Sequence, residues 1–132
     1  MLKGLNHITL AVSDLQVSLD FYQSLLGFTG HVKWDKGAYL TLGELWLCLA
    51  LGNVDDKSDY SHIAFSIEQE SFEGLSRQLN AAGVKQWKIN HSEGSSLYIL
   101  DPDGHRLELH VGDLASRLEN LKTKPYQGMQ WL

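Results

Sequence analysis

Three side chains stand out for the chemistry their types and spacing allow: His7, His62 and Glu108. His7 opens the run His7-Ile8-Thr9-Leu10-Ala11-Val12, and His62 opens His62-Ile63-Ala64-Phe65-Ser66-Ile67. Alternate residues of a strand share a face, which puts His7 with Thr9 and Ala11, and His62 with Ala64 and Ser66. A third run is reached through the turn Asp101-Pro102-Asp103-Gly104. It sets Arg106, Glu108 and His110 on one side and Leu107, Leu109 and Val111 on the other. Two imidazoles and a carboxylate on separate strands make a three-ligand site with open positions, the arrangement a catalytic divalent metal needs. Taken singly, each histidine also reads as a hydrogen-bonded core residue and Glu108 as a hairpin-edge charge. The recurrence of histidine at the same point of two like strands favours the metal.

These residues need elements to position them, and the elements repeat. The two histidine strands lie 62 − 7 = 55 residues apart, and each leads into the same succession of a helix and then strands, an internal duplication. In the first half, Ser13 is expected to cap a helix with Leu15, Leu19, Tyr22 and Leu26 at helical spacing and Gly27 as its stop. Strand-rich segments around 37–42 and 45–49 come next, joined by a tight Gly43-Glu44 turn. Asn53 to Asp59 is a polar linker. In the second half, Phe72, Leu75, Leu79 and Ala82 line a helix stopped by Gly83, with strands over 86–89, 97–100 and 106–111. The pattern predicts an α+β fold of two tandem βαβββ modules in one domain spanning 1–132. The modules are expected at about 1–52 and 60–112, with a helix (Asp113 to Leu121) and tail over 113–132.

Composition narrows the partners. A formal charge of −5 and a pI near 5.6 give no electrostatic case for nucleic acid or an anionic membrane. The single cysteine, Cys48, excludes an internal disulfide. With no signal-peptide pattern and no apolar run long enough to span a bilayer, the cytoplasm is the expected compartment.

A second polar cluster gathers Lys88, Asn90, Ser92, Glu93, Gly94 and Ser96, whose oxygens could wrap an ion or simply make a solvated loop. Arg117 and Lys88 are the cations available to an anionic substrate; Arg117 also reads as an exposed helix arginine. Cys48 lies in an apolar strand beside Trp46 with no basic neighbour and reads as pocket wall rather than nucleophile.

Together these stretches resemble the glyoxalase and vicinal-oxygen-chelate superfamily, and closely resemble its fosfomycin-resistance glutathione transferases. The resemblance covers nearly the whole chain. It rests on Gly4 to Val12, Trp34 to Leu40, Leu45 to Leu49, Tyr60-Ser61-His62, Asn90 to Gly94, Asp101 to His110 and Gly112 to Arg117. It implies a domain-swapped homodimer holding Mn²⁺ between subunits, with His7 from one chain and His62 and Glu108 from the other. It further implies a K⁺ loop formed by Asn90, Ser92, Gly94 and Ser96. Fosfomycin's phosphonate would be held by Thr9, Lys88, Ser92, Tyr98 and Arg117, with Trp46 and Tyr60 lining the pocket and Tyr39 positioning the glutathione thiol. His91 stands where many members carry arginine, and the loop over 52–59 is shorter than in many of them.

The implied reaction is epoxide opening by a thiolate, with the metal as Lewis acid and no protein nucleophile. Relatives of the fold that use water or another thiol, with Glu44 imaginable as a base, and drug-sequestering proteins that do no chemistry are the competing readings. Three intact ligands argue against sequestration.

Overall fold

The computed structural model describes residues 1–56 and 58–132, so the expected linker over 53–59 includes one residue, Lys57, outside the described set. The described residues form eight strands and three α-helices: β1 (His7–Val12), α1 (Leu15–Asp20), β2 (Thr29–Trp34), β3 (Gly37–Leu42), β4 (Leu45–Leu51), β5 (Ile63–Ser66), α2 (Gln69–Ala81), β6 (Gln86–Lys88), β7 (Ser96–Leu100), β8 (Arg106–His110) and α3 (Leu114–Leu121). This is the α+β architecture that the alternating strands and the helical spacing predict.

The strands make two four-stranded sheets, ordered β1-β4-β3-β2 and β5-β8-β7-β6. In each, the first strand runs parallel to the last of its set, a crossover that the intervening helix spans, and the remaining pairs are antiparallel. The turn at Gly43, with φ of 56°, closes the β3–β4 hairpin and aligns Leu42 with Leu45.

The chain divides into two compact units, Met1–Tyr60 with Asp101–His105, and Ser61–Leu100 with Arg106–Leu132. In the first, Leu10, Val12, Leu40, Leu47 and Leu49 from one sheet face pack with Leu15, Leu19, Phe21, Tyr22 and Phe28 as a buried apolar core. In the second, Phe65, Ile99, Leu107 and Leu109 are buried, as are Leu79 of α2 and Leu121 of α3. The opposite face of each sheet carries the polar set.

Two local expectations are corrected. Asp14, not Ser13, caps α1, accepting from the Val17 amide at 3.0 Å. Ser13 instead gives both its amide and its hydroxyl to Asp103, a partner 90 residues away that local sequence cannot reveal. The helix also does not run evenly to Gly27. It widens into a π-type turn over Phe21–Leu25, and the adjacent Phe21 and Tyr22 are both buried.

The turn grouped with the first unit is tightly bonded there. The Tyr22 hydroxyl donates to Asp101 Oδ2 at 2.6 Å, and Asp101 Oδ1 accepts from the amides of Asp103 and His105. His105 Nε2 lies 2.7 Å from the Ala11 carbonyl. Burial pushes the Asp101 carboxyl above its ordinary value, more than these bonds pull it back.

Candidate metal centre

Glu108 is the buried acid of the second sheet, 8% exposed. It sits in β8 opposite Ala64 of β5 and Tyr98 of β7, and Tyr98 in turn pairs with Lys88 of β6. Strand alternation accounts for its direction: Leu107 and Leu109 take the core, so Glu108 must face the other way. His62 immediately precedes β5, and its Nε2 lies 3.0 Å from Glu108 Oε2. An ionised carboxylate only accepts, so the imidazole donates in that contact.

The other carboxylate oxygen is also held. The Ser96 hydroxyl donates to Glu108 Oε1 at 2.8 Å and lies 2.6 Å from His110 Nδ1. The His62 ring stands 5.5 Å from Trp87 and 6.2 Å from Tyr98. Trp87 is fixed by its own bond to the Leu107 carbonyl, at 3.0 Å, with the Arg106 guanidinium over its ring.

This pair suits a divalent ion. Imidazole nitrogen with carboxylate oxygen is a donor set that fits Mn²⁺. Among the described residues no three His, Cys, Asp or Glu side chains cluster to hold a metal ion. His62 and Glu108 by themselves therefore supply two candidate donors.

In the first unit, His7 is exposed, its Nδ1 2.7 Å from Asn6 Oδ1 and its ring 4.5 Å from Trp46. Thr9 faces Cys48 across β1 and β4, and Tyr39 faces Cys48 across β3 and β4. Tyr39 meets Trp46 edge-on at 5.1 Å and Trp34 at 4.8 Å. Thus His7, Thr9, Tyr39, Trp46 and Cys48 share one sheet face. Trp46 Nε1 is buried there without a hydrogen-bond partner among the described residues, an orphaned donor that a ligand oxygen would satisfy.

The remaining residues group around β6 and β7. Lys88 Nζ lies 4.8 Å from the centre of the Tyr98 ring. The loop is closed by Asn90, whose Nδ2 donates to the Gly94 carbonyl at 2.8 Å while its Oδ1 accepts from the Ser92 amide and hydroxyl. Ser96 is not part of that hydrogen-bond set, because its hydroxyl is engaged by Glu108 and His110. Arg117 lies within α3, where its Nε donates to Glu93 Oε2 at 3.2 Å and its Nη1 to the Tyr126 hydroxyl. Burial works against the guanidinium, but the bonds to Tyr126 and Glu93 prevail and hold its pKa above the ordinary value. Tyr60 is exposed.

Sequence reasoning passed over Trp87 and the roles of Glu93, Tyr126 and His110. A register shift between Gln86 and Lys88 breaks the alternation that would have placed Trp87. For His110 a signal existed, two residues beyond Glu108 on the same strand face.

The comparisons agree with this architecture. The model of the Glyoxalase/Bleomycin resistance protein/Dioxygenase superfamily matches residues 4–109. The chain is 56% identical to glutathione transferase FosA of Serratia marcescens, across 98% of this chain and 95% of that protein. It is 38% identical to metallothiol transferase FosB of Shouchella clausii, across 95% and 92%. Among solved structures, a mutant of the fosfomycin resistance protein FosX of Listeria monocytogenes, complexed with Mn(II) and 1S,2S-dihydroxypropylphosphonic acid, superposes with a TM-score of 0.80 at 31% identity, covering 90% of this chain and 99% of that one. The chain therefore belongs to the glyoxalase superfamily, within its fosfomycin-resistance branch.

Proposed function

We propose that this protein is a Mn²⁺-dependent glutathione transferase that opens the epoxide of fosfomycin. The observation that carries the reading is the buried Glu108 facing His62 at 3.0 Å on a polar sheet face, in a chain 56% identical to a glutathione transferase. His62 and Glu108 would hold the metal together with His7 of the partner subunit, in a homodimer each of whose chains carries two duplicated modules, about 1–52 and 60–112. Bound Mn²⁺ supplies Lewis acidity to the epoxide oxygen as negative charge grows there.

The chain's own residues bind and orient. Lys88, aligned with Glu108 through Tyr98, offers a positive charge to the phosphonate, with the hydroxyls of Thr9, Ser92 and Tyr98 as donors. Arg117 serves the same anion by exchanging part of its Glu93 pairing. Trp46 and Tyr60 line the pocket, and the unmatched Trp46 N–H is available to a ligand oxygen. Tyr39, on the face that bears Thr9 and Trp46, positions the glutathione thiol. Sulfur bonds to one epoxide carbon, that carbon's bond to oxygen breaks, and the oxygen, still bonded to the neighbouring carbon, takes up a proton equivalent to the one the thiol gave up and becomes a hydroxyl. Asn90, Ser92, Gly94 and Ser96 are the proposed K⁺ segment, with the ion favouring the dianionic substrate. The compartment is the cytoplasm, in keeping with a thiol co-substrate; among the described residues no helix is long and apolar enough to cross a membrane.

Mass analysis of fosfomycin incubated with the protein, Mn²⁺, K⁺ and glutathione tests the reading. The expected product is the glutathione adduct; fosfomycin plus water would support hydrolysis instead, and unchanged fosfomycin would remove the enzymatic reading. In the same assay, replacing K⁺ by Na⁺ at fixed ionic strength should lower the rate, and equal rates would remove the K⁺ site. Mixed His7→Ala and Glu108→Ala subunits should recover part of the activity each lacks alone, and no recovery after verified exchange would exclude a shared site.

A further inference from the structure

We propose that His110 is a positioning residue for the metal centre, holding Glu108 in its ligating orientation through the Ser96 hydroxyl. The inference rests on the metal assignment made above and extends it to a residue outside the ligand set.

The direction of the hydrogen bonds follows from counting protons. Ser96 has one hydroxyl hydrogen and two neighbours, Glu108 Oε1 at 2.8 Å and His110 Nδ1 at 2.6 Å. An ionised carboxylate has nothing to donate, and a bond to it is stronger than one to a neutral ring nitrogen. Ser96 therefore donates to Glu108, and His110 Nδ1–H donates to Ser96. The imidazole is held in its Nδ1–H form, and the hydroxyl cannot turn away from the carboxylate without losing both bonds. His110 Nδ1 and Glu108 Oε1 are themselves 3.6 Å apart, too far to bond directly, so the serine is required.

The ring is itself clamped. Ser96 and His110 are directly paired across β7 and β8. A Cβ on Gly94 would meet His110 Cε1 at 3.1 Å, and one on Gly112 would meet Nε2 at 3.4 Å, so two glycines let the backbone close around the imidazole. Such a network is not a requirement of the sheet. In the first sheet the same row is Ala11, Ala50 and Gly37, with no polar side chain, and the strands pair equally well. The Ser96–His110 couple appears only beside the buried carboxylate.

The test is Mn²⁺ affinity, read from the electron spin resonance of free Mn²⁺ during titration of the purified full-length protein. His110→Phe keeps a flat aromatic ring but removes the donor, and Ser96→Ala removes the relay; each should weaken binding by about 10–100-fold, the range for losing an outer partner of a ligand. His110→Asn places an amide N–H near the Nδ1 position and should recover most of the loss, which a general packing defect would not allow. The double variant should be no weaker than the worse single one, because both changes break the same chain of bonds. Wild-type affinity in both His110→Phe and Ser96→Ala overturns the inference alone, as does an Asn variant no better than the Phe variant. A wild-type protein with no Mn²⁺ affinity, or one indifferent to Glu108→Gln, overturns the metal assignment and the inference with it.

Discussion

The two sheets have the same strand order and register, yet only one carries a buried charge. Row by row, Thr9, Cys48 and Tyr39 of the first correspond to Ala64, Glu108 and Tyr98 of the second. The next row pairs Ala11, Ala50 and Gly37 with Ser66, His110 and Ser96. The tyrosines persist, while a thiol and two small residues stand where the second sheet has a carboxylate, an imidazole and a hydroxyl. The substitutions are mutually consistent. A Cβ at Gly37 would lie 2.6 Å from the Leu49 carbonyl and from the Trp34 ring, so no serine fits where the aromatic cluster of the first sheet is seated. The duplicated backbone is thus a neutral frame: one copy presents aromatic walls and an exposed histidine, the other a buried acid with its supports. Burying Glu108 is costly unless it is bonded, which explains why its helpers are confined to that copy.

The largest test of this contrast exchanges its charged centre. Glu108→Gln should lower Mn²⁺ affinity and turnover by at least roughly a hundredfold, because it removes the charge of the proposed ligand while preserving shape. Cys48→Ala, at the matching point of the other sheet, should leave Mn²⁺ affinity within about twofold, the expectation for a wall residue with no ligating role. Titration of both variants decides; equal losses would erase the distinction between the sheets.

The shared frame makes the opposite prediction for stability. Leu47 and Leu107 are equivalent core positions, both 0% exposed, flanked by Ile8 and Leu40 in one sheet and by Ile63 and Ile99 in the other. Replacing either by Ala should cost about 2–5 kcal/mol, and the two costs should agree within about 1 kcal/mol. Urea unfolding followed by circular dichroism measures them, and a loss confined to one variant would show that the frames are not energetically alike.

The smallest effect concerns pH and belongs to the first unit alone. Burial raises Asp101 above its unfolded value of 3.8, so the folded protein holds that proton more tightly than the unfolded chain does. Its contribution to stability is complete below pH 3.8 and is lost as pH rises through the folded value. Asp101→Asn, which stays neutral and keeps one of the two accepting oxygens at any pH, should therefore compare better with the wild type at pH 7 than at pH 4. Unfolding curves at the two pH values give the difference, and a gap independent of pH would dismiss the burial effect.

Alternation and duplication, both local properties, were enough to determine the α+β class, the recurrence of histidine at a strand start and the outward direction of Glu108. Side-chain direction in a strand has period two, so a single sequence reveals it wherever apolar residues mark the core. The same periodicity fails at Trp87, because a register shift is set by pairing between strands rather than by the strand's own composition. It also could not show that Ser13 answers to Asp103, that Arg117 is paired with Glu93, or that the Ser96 hydroxyl donates to Glu108. Those choices depend on groups brought together across 90, 24 and 12 residues of chain. A hydrogen bond is decided within about 3 Å of space, a scale on which distance along the sequence carries no information.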